Sequence, residues 1–390
     1  MSLDLEQIRR ETPASRRRIH LNNAGASLIP TPVQQTVTDY LALEQDIGGY
    51  EAELARSVEL DQVYGSVAKL LSAKPEEIAV TQNATRAWDM IFYGLSLRPG
   101  DKILTCRAEY ASNYIAFLQR CRKTGAEIVV LEDDSNGTVC CRSLRDALDQ
   151  RVKVVAINHL PTNSGLVQPA EEIGRIVKDH PAFYLLDACQ SVGQLPLDVR
   201  ALHCDALSGT SRKYLRGPRG IGFLYLAERH IPHFEPPFLD LHAATWTAPD
   251  EYEVRSDARR FETYEIFVAG KLGLGAAAEY AMSVGLQEGW KRTRQLAETA
   301  RSELARLRGV TVCDPGSLRS GIVTFVKDGL EPKEIREKLY RLQTSVWTST
   351  VRSARLDMES RSLAEVVRAS FHYFNTEREV ERFISQISSL

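Results

Sequence analysis

Along the first two thirds of the chain, short apolar and β-branched runs recur between amphipathic stretches. Strands are predicted at Glu77–Thr81, Lys102–Cys106, Glu127–Leu131, Val152–His159, Phe183–Leu186, Ala206–Ser208 and Ile221–Leu226. Between several of them, helical periodicity covers Ala84–Leu95, Ser112–Thr124 and Ala170–Lys178. Such alternation implies an α/β unit with a largely parallel sheet covered on both faces. After Glu265 the texture changes. Helical stretches at Val268–Met282 and Gly289–Leu307 precede a strand at Gly321–Val326, a helix at Pro332–Leu342 and the closing segments Val367–Tyr373 and Thr376–Ile387. The expected division is an N-terminal segment (1–18) packing on a smaller α+β unit (266–390), with a large unit (19–265) between them.

A length of 390 residues exceeds what one compact core usually holds. With 49 Lys+Arg against 51 Asp+Glu, the net charge is −2, which gives no broad basic face for a nucleic-acid partner. The run Arg16-Arg17-Arg18 reads as a solvated stretch. The N-terminus lacks a signal peptide's apolar core, and no stretch approaches the ~18 apolar residues of a membrane span. Seven cysteines without a C-x-x-C pair suggest neither a disulfide framework nor a zinc site. Asp133-Asp134-Ser135-Asn136-Gly137 reads as a turn. No metal is expected, and the composition predicts a reduced, cytoplasmic protein.

Two segments carry chemistry. Leu185-Leu186-Asp187-Ala188-Cys189-Gln190 is an apolar strand ending in an acid, at the strand end where open α/β sheets bind ligands. The second, Ser208-Gly209-Thr210-Ser211-Arg212-Lys213, sets a lysine between a hydroxyl-rich turn and the Gly/Pro-rich loop Gly217–Gly222. A lysine able to form a Schiff base, together with an acid for a pyridinium nitrogen, is what pyridoxal phosphate (PLP) requires of its protein. Asn83-Ala84-Thr85, at the start of a predicted helix, offers donors for a phosphate.

These residues, in this order and spacing, resemble the class V aminotransferase family of fold-type I PLP enzymes. That family includes cysteine desulfurases, C–S lyases, sulfoxide lyases of thiohistidine biosynthesis and isopenicillin-N-epimerase-like proteins. The likeness runs from His20-Leu21-Asn22-Asn23-Ala24-Gly25 through the segments above to Val367-Arg368-Ala369-Ser370 and Tyr373-Phe374-Asn375-Thr376. The resemblance implies a mostly parallel seven-stranded sheet with a smaller C-terminal α+β domain, and a homodimer. It makes Lys213 the Schiff-base lysine, Asp187 the partner of the ring nitrogen and Gln190 that of the ring oxygen. Thr85, Thr210 and Arg212 match phosphate contacts, with Asn83 and Ala84 beside them. Arg368 matches the arginine that grips the substrate carboxylate, as a planar fork does well, and Asn23, Ala24 and Gly25 match the substrate side.

Departures from the family pattern matter as much. In Glu109-Tyr110-Ala111-Ser112-Asn113, Tyr110 replaces the desulfurase histidine over the ring and becomes the second catalytic candidate. In His159-Leu160-Pro161-Thr162-Asn163, either Thr162 or Asn163 can take the place of the family asparagine. Arg260-Phe261-Glu262-Thr263-Tyr264-Glu265 does not keep the family's cross-dimer threonine, which leaves Tyr264 and Glu265 to reach a partner's site. Thr344–Asp357, where a desulfurase carries its nucleophilic cysteine, holds none; the last cysteine is Cys313. β-Elimination from a cysteine S-conjugate or sulfoxide is therefore the expected reaction, with epimerisation or transamination as alternatives. Trp347, Arg352 and Arg355 are candidates for recognising the leaving group.

Overall fold

The computed structural model describes residues 3–390. Seven strands form the main sheet: β1 (Ile78–Thr81), β2 (Lys102–Thr105), β3 (Glu127–Val130), β4 (Val152–Asn158), β5 (Phe183–Asp187), β6 (Ala206–Thr210) and β7 (Gly222–Leu226). Their order is β1-β7-β6-β5-β4-β2-β3, parallel throughout except for β7, which runs antiparallel to both β6 and β1. All residues of β1 and of β5 to β7 are buried, as a sheet covered on both faces requires.

One face is covered by α1 (Thr31–Ile47), α2 (Ser57–Leu71), α5 (Ala170–Val177) and α6 (Val268–Val284), the other by α3 (Ala84–Gly94) and α4 (Ala111–Thr124). The sequence pattern predicts neither α1 nor α2. In α1 only Val33 and Tyr40 are buried, so almost no apolar stripe marks it. Helix α6, with which the smaller unit was expected to open, places Ala269, Leu272, Leu274 and Ala277 in the core shared with α1 and α2. An exposed hairpin, β8 (Ala244–Ala248) and β9 (Glu251–Val254), was also not predicted.

A second sheet, β10 (Val310–Val312), β11 (Ile322–Lys327), β12 (Trp347–Thr350) and β13 (Glu365–Ser370), is antiparallel in the order β10-β11-β13-β12. Helices α7 (Leu286–Ala305), α8 (Pro332–Arg341) and α9 (Glu377–Ser389) pack Leu296, Ile335, Leu339, Phe383 and Ile387 against it. The N-terminal stretch joins this part: Ile19 and Leu21 enter its core, Ile19–His20 pairs with Thr344–Ser345, and Arg9 bridges to Glu379 at 2.8 Å.

One junction between the parts rests on Arg216. Its side chain is fully buried, its φ is +62°, and no acid pairs with it among the described residues. Its guanidinium donates to Leu28 O (2.9 Å), Tyr373 Oη (3.1 Å) and Thr12 Oγ1 (2.5 Å), and lies 4.7 Å from the Phe374 ring centre. No helix among the described residues is long and apolar enough to cross a membrane.

Candidate active site

A cleft of about 650 Å³, its open mouth included, lies at the carboxyl ends of β4, β5 and β6, beneath the N-termini of α3 and α4. It brings together Asn83, Ala84, Thr85, Tyr110, Thr162, Asp187, Gln190, Thr210, Arg212 and Lys213, all singled out by sequence. Asp187 closes β5 and Thr210 closes β6, so the strand ends set both side chains. Asn83 caps α3 by accepting from Arg86 N at 2.9 Å, which leaves Ala84 and Thr85 in the first turn with backbone donors free for an anion. Gly222 of β7 lets that turn approach: a Cβ there would stand 2.5 Å from Ala84 N. Gly193, at φ +78°, does the same for the lysine loop, whose backbone at Tyr214 and Leu215 lies against it.

Charge is unbalanced in the cleft. Lys213 is half-buried and has neither an acid nor a hydrogen-bond partner for Nζ among the described residues; desolvation lowers its pKa. Arg212 donates only to Gly25 O, and burial lowers its pKa too. Burial brings Arg368 down to about 10, and its Nε is buried without a partner. The acid lining the cleft is Asp187, which accepts from Cys189 N (2.9 Å) at Oδ1 and from Asn113 Nδ2 (3.0 Å) at Oδ2. Two basic side chains in the wall, Arg212 and Lys213, and a third, Arg368, behind it, set against one carboxylate, call for anions from outside. A phosphate and a carboxylate supply them, so these residues fit PLP and an amino acid.

Other expected residues lie elsewhere. Asn163 does not line the cleft, because its amide turns to Asp357 Oδ2 at 2.5 Å; Thr162 occupies the wall instead. Arg368 stands behind Thr162, donating to its O (2.9 Å) and Oγ1 (2.7 Å). Asn23 is buried against Ser370 O at 2.7 Å, Ala24 O accepts from Gln190 Nε2 at 3.1 Å, and Gly25 O holds Arg212. Trp347 and Arg355 do not reach the cleft: Trp347 lies under Arg336 at 4.9 Å, and Arg355 pairs with Glu359. Arg352 is likewise not in the wall, although the neighbouring Ser353 O accepts from Ala111 N at 3.0 Å. Tyr264 and Glu265 line a separate groove with Tyr50 and Phe267.

Sequence reasoning gave no role to Trp88, Asn113, Asn158, Leu160 and Cys189, which complete the wall. Trp88 was discoverable, since it follows Thr85 by three residues on one helix face. Cys189 and Asn113 sit inside segments already marked, but their partners are set by the fold.

Fold and site together define a fold-type I PLP enzyme. Residues 19–383 match the family described as aminotransferase class-V, and the chain belongs to that family. A probable cysteine desulfurase of Methanothermobacter thermautotrophicus is 30% identical over 383 residues, covering 96% of this chain and 95% of its own. Another probable cysteine desulfurase, of Pyrococcus abyssi, is 28% identical over 99% of this chain and 97% of its own. Among solved structures, the apo cysteine desulfurase of Thermococcus onnurineus superposes with a TM-score of 0.93 at 28% identity, over 100% of this chain and 98% of that one. The cystine C–S lyase C-DES, solved with its product cysteine persulfide, gives 0.87 at 23% identity over 97% and 99% and shares the fold.

Proposed function

We propose that the chain catalyses PLP-dependent β-elimination on a cysteine-derived amino acid, an S-conjugate or sulfoxide, giving pyruvate, ammonia and a sulfur product. The carrying observation is the thiol inventory around the site. Thr344–Asp357 has no cysteine, and the Cys313 thiol sits against Thr311 O at 3.5 Å. Cys189 is the one thiol in the wall among the described residues, and burial pushes it well above its ordinary pKa, which makes it a poor nucleophile. Elimination needs no sulfur acceptor.

Bound PLP supplies an electron sink for negative charge at the substrate Cα. Thr85, Thr210 and Arg212 would hold its phosphate, Asp187 its ring nitrogen, Gln190 and Thr162 its ring oxygen, and Tyr110 would lie against the ring. Arg368 would orient the substrate carboxylate. Lys213 Nζ takes the Cα proton, and its desolvation favours the neutral amine that a base must present. The freed electron pair forms the Cα–Cβ double bond as the Cβ–S bond breaks, and sulfur leaves with the bonding pair and is protonated by Lys213 or water. The released aminoacrylate hydrolyses to pyruvate and ammonia.

Mixing the protein with cysteine, a cysteine S-conjugate sulfoxide and alanine, then assaying pyruvate, tests the reading. Pyruvate from the sulfoxide alone is expected. A cofactor absorbance change without pyruvate overturns it in favour of epimerisation or transamination. We also infer a homodimer, supported by the exposed Leu41, Tyr50, Tyr264 and Phe267 around one groove. Light scattering should report twice 43.7 kDa, and a monomer overturns this.

A further inference from the structure

At the cleft wall, two carboxyl groups share one amide. Asn113 Nδ2 donates to Asp187 Oδ2 at 3.0 Å and to Glu109 Oε1 at 2.9 Å. Both N–H groups of the Asn113 amide are thereby committed, and its orientation follows because both partners are acceptors. Glu109 itself is 4% exposed and has no basic partner among the described residues. Its Oε1 accepts twice, from Asn113 and from Tyr110 N (2.8 Å), as a carbonyl oxygen does. Its Oε2 faces a single hydroxyl, Thr105 Oγ1, at 3.1 Å. Thr105 Oγ1 donates to Oε2, and because a hydroxyl can turn to accept as well, it can also take the proton of a neutral Glu109 carboxyl. Burial first, and then the charge of Asp187, raise Glu109 to about 8.

Resting on the PLP reading above, we propose that Asn113 and Glu109 are positioning residues for Asp187: the Asn113 amide ties the Asp187 carboxylate to a neutral Glu109 carboxyl, so that Asp187 alone presents charge to the cofactor's ring nitrogen. Two ionised carboxylates joined through one nitrogen would repel strongly in so dry a place. Asn113 satisfies both without adding charge, and the second oxygen of Asp187 is fixed by Cys189 N. Asn113, in the cleft wall, is on the first turn of α4, while Glu109 immediately precedes Tyr110, the residue that caps that helix. The same turn therefore sets the ring-stacking residue and the orientation of Asp187. Titratable neighbours are Cys106 and Asp133 on the Glu109 side, with Cys189 and Lys213 on the Asp187 side. None of them is a cation against Glu109.

Glu109→Gln tests the proposal without removing shape. The substituted amide would accept from Asn113 and Tyr110 N through its oxygen, as the carboxyl does, and donate to Thr105 from its nitrogen. It thereby reproduces a protonated acid that cannot ionise. The readout is PLP affinity of the apoprotein, by absorbance titration, with the holoprotein spectrum followed from pH 6 to 10. Wild type is expected to bind PLP and to show a spectral inflection near pH 8 as Glu109 ionises. Glu109→Gln should bind within threefold of wild type and lack that inflection. Asn113→Ala should bind at least tenfold more weakly at every pH, with apoprotein melting recorded alongside. Tenfold weaker binding by Glu109→Gln, an inflection that survives in it, or wild-type affinity in Asn113→Ala overturns the proposal. Because Glu109→Gln is isosteric, it decides the matter even if Asn113→Ala fails to fold. A wild type that takes up no PLP overturns the cofactor reading instead.

Discussion

At the cofactor end of the cleft the side chains proposed to anchor PLP sit on the last residue of a strand or the first turn of a helix: Asp187 on β5, Thr210 on β6, Thr85 on α3. At the arginine end the site is assembled from segments far apart in sequence. Arg368 meets Thr162 across 206 residues and Asn22 across 346. The first end takes its precision from sheet geometry, the second from packing between chain termini and the second sheet. Cofactor binding and substrate binding should therefore fail separately.

The largest separation comes from Lys213→Ala. Losing the base should lower pyruvate release by about 10²–10⁴-fold, with the lysine-linked PLP absorbance gone. Next is Arg368→Ala, which removes the proposed charge-assisted grip on the carboxylate. A fall in kcat/KM of about 10–100-fold is expected, carried mainly by KM, while PLP affinity stays at the wild-type level. A combined loss of PLP binding would show that the two ends are one unit.

Acid should also tell the ends apart. Burial lowers His20 and His159 to about 4 and also holds His372 well down, all beneath their ordinary 6.5. The unfolded chain therefore binds these protons first. Stability is whole above about pH 6.5 and declines as pH falls towards 4, by about 1.4 kcal/mol per pH unit for each histidine. Tm should drop between pH 7 and 5. His20 and His372 belong to the arginine end, while only His159, whose N donates to Asp187 O, belongs to the cofactor end, so amide exchange at pH 5 should rise more in residues 18–27 and 370–376 than in 183–190. The smallest effect is expected from Trp347→Ala and Arg355→Ala. Both side chains face away from the cleft, and kcat/KM should stay within about twofold, with stability within about 0.5 kcal/mol.

The same contrast explains what was legible in the sequence. Strand ends and helix starts are local, so the seven strands, Asp187, Lys213 and the α3 turn could be read from contiguous residues. Asn163 was undecidable there, since only the fold brings Asp357 within reach of its amide. Glu109 was visible within a motif, but its neutrality depends on burial and on Asp187, 78 positions further along the chain. Helix α1 escaped because its sequence carries too few buried positions to form a stripe.

Arg216 has a consequence in time. It follows Lys213 by three residues, and its hydrogen-bond partners are Thr12, Leu28 and Tyr373. A side chain in a left-handed backbone position, carrying a charge that no acid balances, has no reason to bury itself until those partners are present. The ribosome delivers Tyr373 only after 95% of the chain has been made. The loop bearing the lysine thus stays unlocked during synthesis, and PLP can be captured in its final geometry only once the two ends of the chain have met.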